Sequence, residues 1–265
     1  MRSRYGFTLI ELLIVIVLSS IVAVISVQFI SRTTQGALDA AARQQLAATA
    51  AVIHEQVGRA VRQALPGSIR TSADGRCLEY IPVITGSVYA TLDTSRAVSS
   101  LTVLPVSATE AVSGFLAIYP LPGGDPYRRN NPGPLAAQPV TLPAGAAPVT
   151  ITLNPPHRFP AASPKRRFYI TGSPETLCQD GPWLYRYRNY GWVANVNNLT
   201  AALPATAAAG REVLATPLVP GSLEWRFQPP TLQRNGLLVY RLTLAQPGST
   251  EQLAIAQEVQ VRNVP

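Results

Sequence analysis

The residues with the plainest chemical implication stand at the start of the chain. Gly6-Phe7-Thr8-Leu9-Ile10-Glu11 joins a small residue, an aromatic and a carboxylate, and Glu11 is the only ionisable side chain between Phe7 and Ile30. A charged Asp near the centre of a membrane helix costs roughly 2.5–3.5 kcal/mol, so a carboxylate held in such a run is a functional hypothesis by default. The chemistry it points to is charge neutralisation, because two charges in an apolar medium are tolerable only when paired. Gly6 precedes the apolar run, whereas the small-residue cleavage site of a secretory signal peptide follows it. The order is therefore that of a different processing signal.

The remaining candidates are sparse. Cys77 and Cys178 form no C-x-x-C pair, and with His54 and His157 the only histidines a zinc site is not expected. Gly123-Gly124-Asp125 lacks the Lys-Ser/Thr of a phosphate loop, and no G-x-S-x-G, H-E-x-x-H or EF-hand pattern occurs. No catalytic constellation, metal or cofactor is expected, and the chain reads as a non-enzyme. Tyr185-Arg186-Tyr187-Arg188-Asn189-Tyr190-Gly191-Trp192 could stack on bases or sugars. The simpler reading is an alternating strand with Tyr185 and Tyr187 on one face and the arginines on the other. The net charge is +8, but its longest runs, Lys165-Arg166-Arg167 and Arg128-Arg129, are short and lie in Pro-rich stretches. A solvated surface is expected there in preference to a nucleic-acid site.

The elements that must position these residues follow from the patterning. As a helix, residues 7–30 extend roughly 36 Å, enough for a hydrocarbon core of about 30 Å. Arg2 and Arg4 precede this span and the next cation is Arg32, which places the N-terminus in the cytoplasm and the bulk of the chain outside. In an exported domain the two cysteines favour a disulfide closing a loop of roughly 100 residues; unpaired buried cysteines are the other reading. The helix is predicted to run on to Leu65, with Pro66-Gly67 as its stop and Gly36 as a flexible point. Leu38, Ala42, Leu46, Ala50, Ile53, Val57, Val61 and Leu65 form one apolar stripe, with Asp39, Arg43, Gln44, Glu55, Arg59 and Arg62 opposite.

From Arg76 onward β-rich runs take over. Strands are predicted at 77–84, 99–106, 115–120, 149–153, 168–171, 183–188, 223–227, 237–244 and 253–261. Twelve of the 24 prolines lie between Pro120 and Pro164, which predicts a stiff, irregular insertion over 120–165. Asn198 to Gly210 reads as a loop or short helix. The organisation expected is a leader at 1–6, a membrane or filament-core helix at 7–30, its amphipathic continuation at 31–66, and an exported β-rich domain at 67–265. The fold class is α+β, a long helix packed on antiparallel sheet.

The run Gly6 to Glu11 resembles the processing site of type IV pilins and type II secretion pseudopilins. That resemblance implies a pilin-like fold, cleavage between Gly6 and Phe7 by a prepilin peptidase, and N-methylation of Phe7. It makes Glu11 the fifth mature residue, whose carboxylate neutralises the terminal amine of a neighbouring subunit during assembly. Further segments are similar to the larger PilW-like and pseudopilin J-like minor pilins, and to minor pilins of the mannose-sensitive haemagglutinin pilus. They include Arg43-Gln44-Gln45-Leu46, Asp74-Gly75-Arg76-Cys77, Arg167-Phe168-Tyr169-Ile170, Leu184-Tyr185-Arg186-Tyr187 and Val261-Arg262-Asn263-Val264-Pro265. The partners implied are other major and minor pilins, an inner-membrane assembly platform and inner-membrane lipid, and the implied location is the inner membrane and then the pilus or its tip. The role implied is a non-catalytic subunit that primes or caps assembly. A secretion pseudopilin and an adhesive or DNA-binding tip subunit are the alternatives.

Overall fold

The computed structural model describes residues 8–104, 109–145, 147–230, 234–248 and 251–261. Helix α1 (Leu9–Arg62) comprises 54 residues and so extends about 80 Å. Thr8 caps its first turn, Glu11 stands in that turn, and Arg59 and Arg62 stand in the last, each charge matched to the nearer end of the helix dipole. Gly36 lies inside unbroken helix, on open surface, so the expected flexible point does not interrupt it. The helix stops three residues before Leu65. Ala64 bridges to Pro82, and the Leu65 N–H donates to the Ile81 carbonyl at 2.8 Å.

Fourteen strands follow: β1 (Arg70–Thr71), β2 (Cys77–Tyr80), β3 (Val83–Val88), β4 (Val98–Val103), β5 (Val112–Ala117), β6 (Leu135–Leu142), β7 (Val149–His157), β8 (Arg167–Thr171), β9 (Glu175–Asp180), β10 (Trp183–Tyr187), β11 (Arg211–Ala215), β12 (Glu224–Gln228), β13 (Gly236–Ala245) and β14 (Gln252–Val261). All their pairings are antiparallel.

Two sheets make the stem. The order β1-β2-β9-β10-β11 and the order β12-β13-β14 share one core with the second half of α1. Leu46, Ile53, Val57 and Val61 of the helix meet Leu78, Leu177, Leu184, Trp225 and Tyr240 there. From Ala42 onward the stripe is buried, Ala50 only partly, whereas Leu38, one turn earlier, is 59% exposed, so the helix clears the domain between them. His54 sits at the boundary, its Nδ1 3.2 Å from the Tyr240 hydroxyl.

The chain leaves the stem at Tyr80 and returns beside it at Glu175, since β2 and β9 are in register from Cys77↔Cys178 to Tyr80↔Glu175. Everything between is inserted into this pair. The order β3-β8-β5-β6 and the pair β4-β7 are linked by the bridge Tyr89↔Val103. Hydrogen bonds from Ala90 N to Thr102 O and from Leu104 N to Val88 O extend that link. These strands wrap a second core that includes Leu101, Val103, Leu116, Ile118, Ile151, Phe159, Phe168 and Ile170.

Two expectations change here. The strand predicted at 77–84 is two strands in different sheets, broken at Ile81-Pro82, because proline has no N–H to donate to a ladder. The stretch predicted as irregular, 120–165, contains β6 and β7. Its prolines are accommodated at ladder margins: Pro139 in β6, the edge strand of its sheet, and Pro155 and Pro156 where the β4–β7 register shifts. Within 198–210, Leu199–Ala202 forms a single helical turn whose Leu199 is fully buried.

Candidate functional site: the uncovered half of the helix

Every large apolar side chain from Leu9 to Ile30 is exposed, from 49% at Val15 and Val17 to 83% at Leu9. The same helix buries Leu46, Ile53 and Val57 almost completely, so its first half is apolar surface that the rest of the chain leaves uncovered. The helix is long and apolar enough to cross a membrane. Two hydroxyls in this region turn onto their own helix: Ser20 donates to Ile16 O at 2.7 Å and Thr33 to Phe29 O at 2.8 Å. They demand nothing from an apolar environment.

Glu11 projects from this surface. Its backbone N–H donates to Thr8 Oγ1 at 3.3 Å, and the Leu12 N–H donates to Thr8 O at 3.2 Å, so the threonine fixes the helix start at the carboxylate. Gly6 and Phe7 lie outside the described residues. In a dry environment a lone carboxylate on an apolar helix face either takes up a proton or pairs with a cation, while the surrounding side chains pack against lipid or like helices.

The other sequence candidates lie far from this surface, in the stem and the inserted strands. Cys77 and Cys178 are disulfide-bonded, directly opposite one another on β2 and β9, and each is 3% exposed. In β10, Leu184 and Arg186 face α1 while Trp183, Tyr185 and Tyr187 share the other face. Arg186 donates to Gln56 of α1 at 3.1 Å and lies 3.9 Å from both Glu175 and Glu212; Arg188 is 2.9 Å from Glu175 and 3.4 Å from Glu212. Both arginines of the Arg–Tyr run are thus engaged within the fold. His157 is buried, with Nε2 2.9 Å from Gly133 O, and burial pulls its pKa below the usual range. Among the described residues no group of three or more His, Cys, Asp or Glu side chains is placed to hold a metal ion.

Sequence reasoning missed a buried ionic hub. Glu79 has no exposed surface and receives Arg70 Nε at 2.6 Å and the Tyr190 hydroxyl at 3.0 Å. Arg70 also donates to Val193 O and Ala194 O and lies 3.5 Å over the Tyr127 ring. Burial pushes the Glu79 carboxyl above its usual range, opposed by the charge and hydrogen bond of Arg70 and by Tyr190. Beside it Arg129 packs between Phe115 and Trp192, 4.9 and 5.0 Å from their rings. The hub joins the stem to the inserted strands through Tyr127, and within the stem Arg70 reaches Ala194, 124 positions along the chain, a separation at which no local motif can announce the contact.

Residues 1–27 match the prokaryotic N-terminal methylation motif. No curated protein and no solved structure matches the chain. The motif supports a type IV pilin-like or pseudopilin subunit and implies prepilin peptidase processing and pilin assembly. With the uncovered apolar helix, it fits a membrane-anchored pilin.

Proposed function

We propose that the chain is a minor pilin, a low-copy, non-catalytic subunit that primes or caps a type IV pilus, resembling the O-type minor pilin (MshO) of the mannose-sensitive haemagglutinin system. Cleavage between Gly6 and Phe7 and methylation of Phe7 produce the mature helix, which stores the subunit in the inner membrane with its folded domain in the periplasm. Glu11 then pairs with the terminal amine of a neighbouring subunit as the helix passes into the filament core. The observation that carries this reading is the uncovered first half of α1, an apolar surface with one carboxylate at its start, which the methylation motif at residues 1–27 overlaps. The domain boundaries follow: 1–6 removed, 7–30 membrane and filament core, 31–66 continuous helix, 67–265 exported domain.

The test is made in cells. Gly6→Ala is expected to accumulate uncleaved precursor, and a protein beginning at Phe7 recovered from that variant overturns the processing assignment. Crosslinking of the intact protein separates the machines: capture of pilus subunits in low copy supports the minor-pilin reading, and capture of secretion components reassigns the chain as a pseudopilin.

A further inference from the structure

We propose that the end of the inserted segment away from the stem docks on an anionic phospholipid surface through Arg158, Lys165, Arg166 and Arg167. The proposal stands whichever filament the chain joins. Residues 82–172 carry seven cations against three carboxylates, and the fold keeps the two signs apart. Asp125 lines the same cleft as Arg70 of the stem and lies 3.6 Å from Arg128. Glu110 precedes β5, whose Phe115 pairs with Thr171, at the opposite end of β8 from Arg167. Asp93 stands in the loop that the four cations border, and Arg96 occupies it at 2.8 Å. Among the described residues Arg158, Lys165, Arg166 and Arg167 make no ion pair.

What holds these cations in place leaves their charge uncompensated. Arg166 Nη1 donates to Ala90 O at 3.3 Å and Arg158 Nε to Thr94 O at 3.0 Å, so both guanidinium groups grip the β3–β4 loop through neutral carbonyls. The turn that carries Lys165 is equally fixed. Arg166 N–H donates to Ser163 O, Ser163 N–H to the Tyr89 hydroxyl and Tyr89 N–H to Arg166 O, each at 2.9 Å. Arg158, Lys165 and Arg166 are exposed, as are Pro160, Ala162 and Pro164 between them. The neighbouring rings of Tyr89, Phe159 and Phe168 are buried, so none is presented to stack on a base as in single-strand sites. Fixed cations set among small apolar residues suit a plane of phosphate headgroups, which attracts every cation brought near it. That plane is not the bilayer α1 crosses. Helix residues 30–62 extend about 48 Å, and β3, which starts where Val83 N–H donates to Gln63 O, covers about 17 Å before Val88 pairs with Arg167. Whichever way β3 points, Arg167 stands at least about 20 Å from the membrane-crossing half.

The test reconstitutes full-length protein through α1 into nanodiscs of phosphatidylcholine and measures retention on phosphatidylcholine vesicles with and without phosphatidylglycerol. Retention is expected on the vesicles that contain phosphatidylglycerol, weakening as added salt shortens the Debye length. Lys165 makes no hydrogen bond or ion pair among the described residues, so it can be changed without loosening the turn. A cation at an anionic bilayer strengthens binding about fivefold, so retention should fall about fivefold in Lys165→Gln and about twenty-five-fold in Lys165→Glu. Lys165→Arg should keep it, and thermal unfolding of all three variants should match wild type. The proposal is overturned by equal retention on neutral vesicles, by retention that ignores salt, or by undiminished retention in Lys165→Glu. Duplex DNA that binds the nanodiscs more tightly than the vesicles do also overturns it, since the cations then serve a nucleic acid. A photocrosslinker at position 165 that traps another pilin in assembled filaments does the same, since the surface is then a subunit contact.

Discussion

Replacing Cys77 and Cys178 together by alanine probes how the inserted segment is held to the stem. The bond joins β2 to β9 where the chain leaves the stem sheet and where it returns, and it closes a loop with a sequence separation of 101. In the chain-entropy model a loop of that length restrains the unfolded chain by about 4.7 kcal/mol, and removal of a native disulfide typically costs about 2–5 kcal/mol. Against a total stability of about 5–15 kcal/mol this is a large fraction. A loss of about 3–5 kcal/mol is expected, or a melting point lower by about 10 °C for a chain of this size. Guanidinium unfolding of the detergent-solubilised protein, followed by tryptophan fluorescence, measures it, since Trp225 is 2% exposed in the stem core. Reduced wild type is the second arm: if loop entropy is the cause, reduction alone reproduces the loss, whereas lost sulfur packing with Tyr187 and Leu199 appears only in the alanine variant. A shift below about 1 kcal/mol in both arms refutes the reasoning.

Other outcomes follow from single contacts. His157 is 1% exposed with Nδ1 unpartnered, and its folded-state pKa is depressed by burial. Its stabilising contribution is therefore complete above the unfolded-state pKa of about 6.5 and is lost as pH falls below it; urea midpoints in wild type should drop between about pH 6.5 and 5 more steeply than in His157→Gln. Arg70→Met strands the fully buried Glu79 carboxylate and is expected to cost about 3–5 kcal/mol by chemical denaturation. Arg70→Lys should recover only part, because a lysine cannot reproduce the forked donation to Glu79, Val193 and Ala194. Gly114→Ala places a Cβ 2.5 Å from Thr171 O and 2.7 Å from Ile170 Cγ2 between β5 and β8, and a destabilisation of about 1–3 kcal/mol should appear in thermal melts.

What could be read from the sequence was local in origin. The apolar run, its single carboxylate and the three- and four-residue stripe define α1 to within a few residues, because helix hydrogen bonds join neighbours. Alternating strands such as Trp183–Tyr187 and Gln252–Val261 were legible for the same reason. Strands β6, β9 and β11 were not: β6 is hidden among prolines, Glu175-Thr176-Leu177-Cys178-Gln179-Asp180 alternates weakly, and Arg211–Ala215 follows an alanine-rich loop. Their places are set by pairing: β6 with β5, β11 with β10, and β9 with both β10 and the distant β2.

The opening motif shows the division most clearly. By itself the sequence determined that Glu11 lies in an apolar helix behind a processing signal, since side-chain hydropathy and spacing suffice for that. Only the tertiary structure decided that this helix half is left uncovered while the other half buries one stripe, and that the disulfide stands at the neck of an inserted segment. Only it closed Arg70 on Glu79 and turned Trp183 and Tyr185 outward. The insertion and its disulfide depend on the pairing of β2 with β9, between residues about a hundred positions apart, which no local pattern encodes.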